Sequence, residues 1–195
     1  KKEGLMLALA LAICMPFLLL SCKSFTYFAF AAVAVWALLL TAVADQKYAI
    51  IPDQFLLLAG AAAVAMTAMD LISGKHLFQT SLLSVFLSLL TGSGALYLLG
   101  LLGKVLFKRE EAMGFGDVKL LAVSGLLCGF PGIVTVLVIS VLSSGSVFGL
   151  QMAAKKLNYG EYRPLGPYIV FATVFYMLFH KYIALALTAY FSLYK

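Results

Sequence analysis

The feature that most constrains this chain is a succession of long apolar runs separated by short polar breaks. A hydrocarbon core about 30 Å thick takes about 20 apolar residues as a helix, and the runs reach that length repeatedly. They are continuous rather than alternating, and inside a bilayer only helices or a closed barrel satisfy every backbone group. Of 195 residues, 64% are hydrophobic and 11% charged, against about 25% charged in a water-soluble domain. The expected fold is therefore all-α, a polytopic membrane helix bundle forming a single domain over residues 1–195, with no room for a separate soluble one. Seven transmembrane helices are expected, over residues 5–21, 26–45, 53–70, 78–103, 117–130, 133–154 and 167–191. The final span is the least regular, because His180-Lys181 interrupts it and invites a break there.

The net charge of +6 does not point to nucleic acid, because the basic residues sit between the apolar runs. They report orientation instead. With the N-terminus in the cytoplasm, Lys1, Lys2, Lys47, Lys104, Lys108, Arg109, Lys119, Lys155, Lys156 and Arg163 fall inside. Only Lys23, Lys75, Lys181 and Lys195 fall outside, so ten of the fourteen cations face the cytoplasm. Cys14, Cys22 and Cys128 have neither metal-ligand spacing nor an even disulfide count, and read as small packing residues. The first residue is Lys rather than Met, so a trimmed start is expected. Lys1-Lys2 and Leu19-Leu20-Ser21-Cys22 have the outline of a lipoprotein signal, but a second span follows almost at once. Two small-residue clusters, Thr91-Gly92-Ser93-Gly94 and Ser143-Ser144-Gly145-Ser146, suit close helix packing.

Charge is costly at a membrane boundary, and an ionisable residue capping a span is a functional candidate by default. The chain has four aspartates. The topology sends Asp45, in Ala44-Asp45-Gln46-Lys47, and Asp117, in Gly114-Phe115-Gly116-Asp117, to the same cytoplasmic face. Alone, Asp45 reads as an interfacial carboxylate anchoring a helix end. Asp53, in Ile51-Pro52-Asp53, reads as an ordinary helix start favoured by the macrodipole. Gly114 and Gly116 open backbone angles and clear space for another segment, with Asp117 at the mouth of a span. Two carboxylates on one side suggest a water-activating aspartyl pair.

These residues carry a family resemblance. Gly-x-Gly-Asp at a cytoplasmic helix start, with Asp-x7-Asp ending in Ile-Pro-Asp two spans earlier, resembles the prepilin peptidases. They are integral-membrane aspartyl proteases of type IV pilus and type II secretion systems, and archaeal preflagellin peptidases are relatives. The match runs through Asp45 to Asp53, Gly114 to Leu121 (GFGDVKLL) and Arg163-Pro164-Leu165-Gly166-Pro167, about 120 residues in all. It implies that Asp45 and Asp117 are the catalytic pair, with Gly114, Gly116, Asp53 and Lys119 as motif or supporting residues. For Lys119 an interfacial anchor is an equal reading. The resemblance also implies the substrate, a pilin-like precursor whose short basic leader is cut after a Gly, ahead of an apolar helix in the bilayer. Glu110, Glu111 and Glu161 are acids that would attract such a leader, although solvated loop residues balancing Lys108 and Arg109 fit them as well.

The larger family members carry an insert with paired Cys-x-x-Cys zinc ligands and also methylate the new N-terminus. That spacing is absent here, so the chain looks like the compact peptidases of tight-adherence pili or preflagellin systems. Lys47 stands where many bacterial relatives carry another acid. No cofactor and no metal are expected; the expected location is a prokaryotic cytoplasmic membrane. Presenilin-type proteases share Gly-x-Gly-Asp but pair it with a Tyr-Asp that this chain lacks. The alternative from another class is a small ion- or proton-coupled membrane transporter, which calls for midplane carboxylates and internal repeats.

Overall fold

The computed structural model of the protein describes residues 2–22, 24–73, 81–98, 101, 114–155 and 163–193, and among them every regular element is helical. Seven helices follow the seven apolar runs. They are α1 (Lys2–Ser21), α2 (Phe25–Tyr48), α3 (Asp53–Ser73), α4 (from Leu82), α5 (Phe115–Cys128), α6 (Gly132–Ala153) and α7 (Gly166–Leu193). α4 runs to Leu98 and passes through a π-helical turn at Leu90–Gly94. Phe25–Tyr48, Asp53–Ile72 and Gly132–Ala153 are long and apolar enough to cross a membrane. The fourteen residues of α5 rise about 21 Å, less than a full hydrocarbon core. His180-Lys181 does not interrupt α7, which continues to Leu193. Lys181 Nζ instead reaches back to the Ser21 carbonyl at 3.1 Å, tying the end of α1 to α7.

The chain runs up and down, so the two ends of the bundle collect different residues. One end holds the close of α2 and the starts of α3, α5 and α7. The other holds the start of α2 and the close of α3, where the Tyr27 hydroxyl donates to buried Asp70 at 3.3 Å. Lipid is as apolar as a leucine side chain, so burial of apolar area does not drive helices together in a bilayer; close van der Waals packing does. The tightest pair accordingly meets through alanines. Ala31, Ala34 and Ala37 of α2, with Ala59, Ala62 and Ala63 of α3, are all buried, whereas Leu57, Ile72, Leu82 and Leu142 point outward.

The first small-residue cluster packs as expected. A methyl on Gly92 would lie 2.8 Å from the Leu121 carbonyl of α5, and one on Gly125 would lie 2.7 Å from the Ser88 carbonyl of α4. The second cluster packs only in part: Ser144 is buried, but Gly145 has nothing within 4 Å of where a side chain would start. Among the described residues the buried hydroxyl of Thr67 has no hydrogen-bond partner, but others are satisfied close to home. Ser124 Oγ donates to Leu120 O at 2.9 Å and Thr41 Oγ1 to Ala37 O at 2.9 Å, so these polar side chains need no aqueous path.

Candidate active site

Asp45 lies one turn before the end of α2. Its carbonyl accepts the amide of Ala49 at 2.8 Å, and Ala49, with φ of 51°, turns the chain out of the helix. Pro52 restricts Ile51 to extended backbone, and α3 starts directly afterwards at Asp53. This tight reversal holds the last turn of α2 beside the first turn of α3.

The second carboxylate arrives on another helix start. Gly114 sits in extended backbone before α5, and its carbonyl accepts the Asp117 amide at 3.1 Å. Asp117 thereby falls in the first turn of α5. Gly116 meets the α2–α3 reversal: a methyl there would lie 3.1 Å from both Cβ and Cδ1 of Ile51. The glycine of this motif is thus the point at which α5 approaches the segment following Asp45.

Asp45 and Asp117 are both buried, at 3% and 6% exposure, and they lie within electrostatic range of one another. Burying a carboxylate is costly unless it is hydrogen-bonded. For Asp45 the partner is the backbone amide of Gly166, which donates to Oδ2 at 3.0 Å from the first residue of α7. The fit there is close enough that a methyl on Gly166 would overlap Oδ2 and lie 3.1 Å from Cγ. Three chain segments distant in sequence therefore converge on one small volume.

Asp53 has a different position. Its side chain is 66% exposed and accepts an ion pair from Lys119 Nζ at 2.8 Å. Lys119 also lies 5.6 Å from the centre of the Phe115 ring. The pair clamps the start of α3 to the start of α5 on the exposed side, away from the buried carboxylates. An exposed pair of this kind contributes about 0–1 kcal/mol. Glu110, Glu111 and Glu161 lie outside the described residues. Among the described residues no three His, Cys, Asp or Glu side chains gather as metal ligands would.

The sequence alone gave Gly166 no part in this arrangement. Its signal was the Pro164-Leu165-Gly166-Pro167 turn, visible as a motif but silent about what its amide faces. Two buried acids of this kind can share a proton and activate a water between them.

Comparison with known proteins points to one family. A prepilin leader peptidase/N-methyltransferase of Xanthomonas campestris pv. campestris is 39% identical over 70 residues, covering 34% of this chain and 24% of that relative. The match thus spans about a quarter of the relative's length. No solved structure matches. The profile of the type IV leader peptidase family covers residues 32–177, which takes in Asp45, the Gly-x-Gly-Asp turn and Gly166 alike, and the chain belongs to that family.

Proposed function

We propose that this protein is a membrane aspartyl endopeptidase that removes the short basic leader from type IV pilin-like precursors. The observation that supports it most directly is the burial of Asp45 and Asp117 at one end of the bundle, within electrostatic range of each other. Membership of the family supports the substrate class.

In the reaction, one ionised carboxylate of the pair takes a proton from water as the oxygen attacks the scissile carbonyl. The other, protonated, donates to the carbonyl oxygen. On collapse of the tetrahedral intermediate the C–N bond breaks as the first carboxyl gives its proton to the leaving amine, and the second carboxylate takes one back from a hydroxyl of the intermediate as the carbonyl reforms, which restores the pair. Gly166 holds Asp45 in position through its amide, and Gly114 and Gly116 let α5 bring Asp117 close. Asp53 and Lys119 support the helix starts from outside. Glu110, Glu111 and Glu161 attract the basic leader.

The orientation that fits the cation distribution places this end of the bundle at the cytoplasmic face of a prokaryotic cytoplasmic membrane. The whole chain acts there as one multi-pass peptidase domain. The test is cleavage of a pilin-like precursor by purified protein, comparing wild type with Asp45→Asn, Asp117→Asn and Asp53→Asn. Loss of cutting in the first two, with the third active and all three folded, is the expected result. Continued cutting by either of the first two removes the aspartyl pair from the mechanism.

A further inference from the structure

A groove of about 430 Å³ opens beside Asp45, between the end of α2, the second half of α6 and the start of α7. Its position ties it to the carboxylates. Gln46, which follows Asp45, forms one wall, and Pro164 and Pro167, which flank the amide held by Asp45, form another. An edge-on contact between Phe148 of α6 and Tyr168 of α7, with ring centres 5.3 Å apart, joins the two helices at the groove.

The groove is polar at one end and mostly apolar at the other, where Ser143 of α6 is also part of the wall. Gln151 near the end of α6 and Arg163 just before α7 mark the polar end. Phe171 lies five residues into α7 from Gly166, about 7.5 Å deeper along the helix, and with Val147 and Phe148 it makes the apolar end. A ligand seated here has its apolar part toward the bilayer and its polar part toward the end of the bundle that holds Asp45.

We propose that this groove seats the first apolar turn of the substrate's membrane segment, the residues directly C-terminal to the bond that is cut. The proposal rests on the peptidase reading above. The apolar walls take the side chains of that turn. Gln46 and Gln151 are placed to hydrogen-bond its leading peptide groups, which lack helical partners at a helix start. Val147, Phe148 and Phe171 thereby become determinants of which apolar residues are accepted after the cleavage point.

The test fills the groove. Val147→Trp is compared with Leu142→Trp, which adds the same bulk on a face of α6 that points outward. The first is expected to raise KM for a pilin-like precursor about tenfold with kcat within about twofold, and the second to change neither. In parallel, precursors carrying a benzophenone side chain at each of the first apolar positions are photolysed with wild-type protein. Adducts on α6 and α7 between residues 143 and 171 are expected. This measurement does not depend on the Trp variant folding.

An unchanged KM in folded Val147→Trp, or adducts that map elsewhere, overturns the proposal while leaving the peptidase intact. A phospholipid as the occupant is revealed by loss of copurified lipid from Val147→Trp with unchanged KM, and it also overturns the proposal. If wild type does not cut but the adducts still fall in the groove, the peptidase reading fails and the seat stands. If there is neither cutting nor adduct in the groove, both fail.

Discussion

Replacing Gly166 by alanine isolates the contact that fixes Asp45. Gly166 is not among the described glycines with positive φ, so alanine fits the backbone and its effect is steric. The new methyl would overlap Oδ2 of Asp45 and lie 3.1 Å from Cγ, where the Gly166 amide now donates a hydrogen bond to that oxygen at 3.0 Å. Clearing the overlap takes a displacement of about 1 Å, and a misplacement of that size costs on the order of a hundredfold in rate. That corresponds to about 2.7 kcal/mol on the barrier. The assay is steady-state cleavage of a pilin-like precursor by purified protein, with thermal unfolding followed by circular dichroism on the same samples. Gly145→Ala serves as the control, because nothing lies within 4 Å of its added methyl. The expected result is a kcat about a hundredfold lower for Gly166→Ala and unchanged for Gly145→Ala. A folded Gly166→Ala protein with kcat within about twofold of wild type refutes the claim that this amide positions the carboxylate.

Four further outcomes follow from the same geometry. Asp53→Asn or Lys119→Met breaks an exposed ion pair and lowers unfolding stability by about 0–1 kcal/mol, with cleavage retained. Gly125→Ala places a methyl 2.7 Å from the Ser88 carbonyl and costs about 1–3 kcal/mol by overpacking, read as a lower unfolding midpoint. Tyr27→Phe removes the hydroxyl that buried Asp70 accepts and costs about 1–3 kcal/mol; it acts at the far end of the bundle, so the cleavage kinetics of the folded fraction stay the same. Gly60 faces Val123 Cγ2 at 3.7 Å, so Gly60→Ala is silent. Gly60→Leu instead levers α5 from α3 and lowers kcat, which a titration of active sites separates from simple misfolding.

The helices and the two buried acids were legible for one reason. A bilayer punishes any charged or unpaired backbone group, so the apolar runs and their interruptions mark the spans almost directly. Asp45 and Asp117 were visible because carboxylates at the ends of such runs are rare. The distinction between Asp53 and Asp45 was legible only through resemblance; the structure supplies the physical difference, 66% side-chain exposure against burial. Gly166 was not legible as a partner of Asp45, because 121 residues separate them and no local pattern encodes which carboxylate a helix-start amide will face. Nor was the continuity of α7 through His180-Lys181 legible. A charged side chain at that point looks like a break until Lys181 is seen to reach the Ser21 carbonyl.

The two carboxylates are held together indirectly. α2 packs mainly along α3 and α7, and α5 packs along α4 as well as along those two, rather than on each other. The separation of Asp45 and Asp117 is therefore set by two helices that contribute neither acid. α3 does this through its alanine face toward α2 and the Gly60 contact to α5, and α7 through the Gly166 amide and the Thr173 hydroxyl, which donates to Ser124 Oγ of α5 at 2.9 Å. Under the aspartyl reading proposed above, a peptide bond and a water have to fit that separation, so a change in α3 or α7 that leaves both acids in place still alters cleavage.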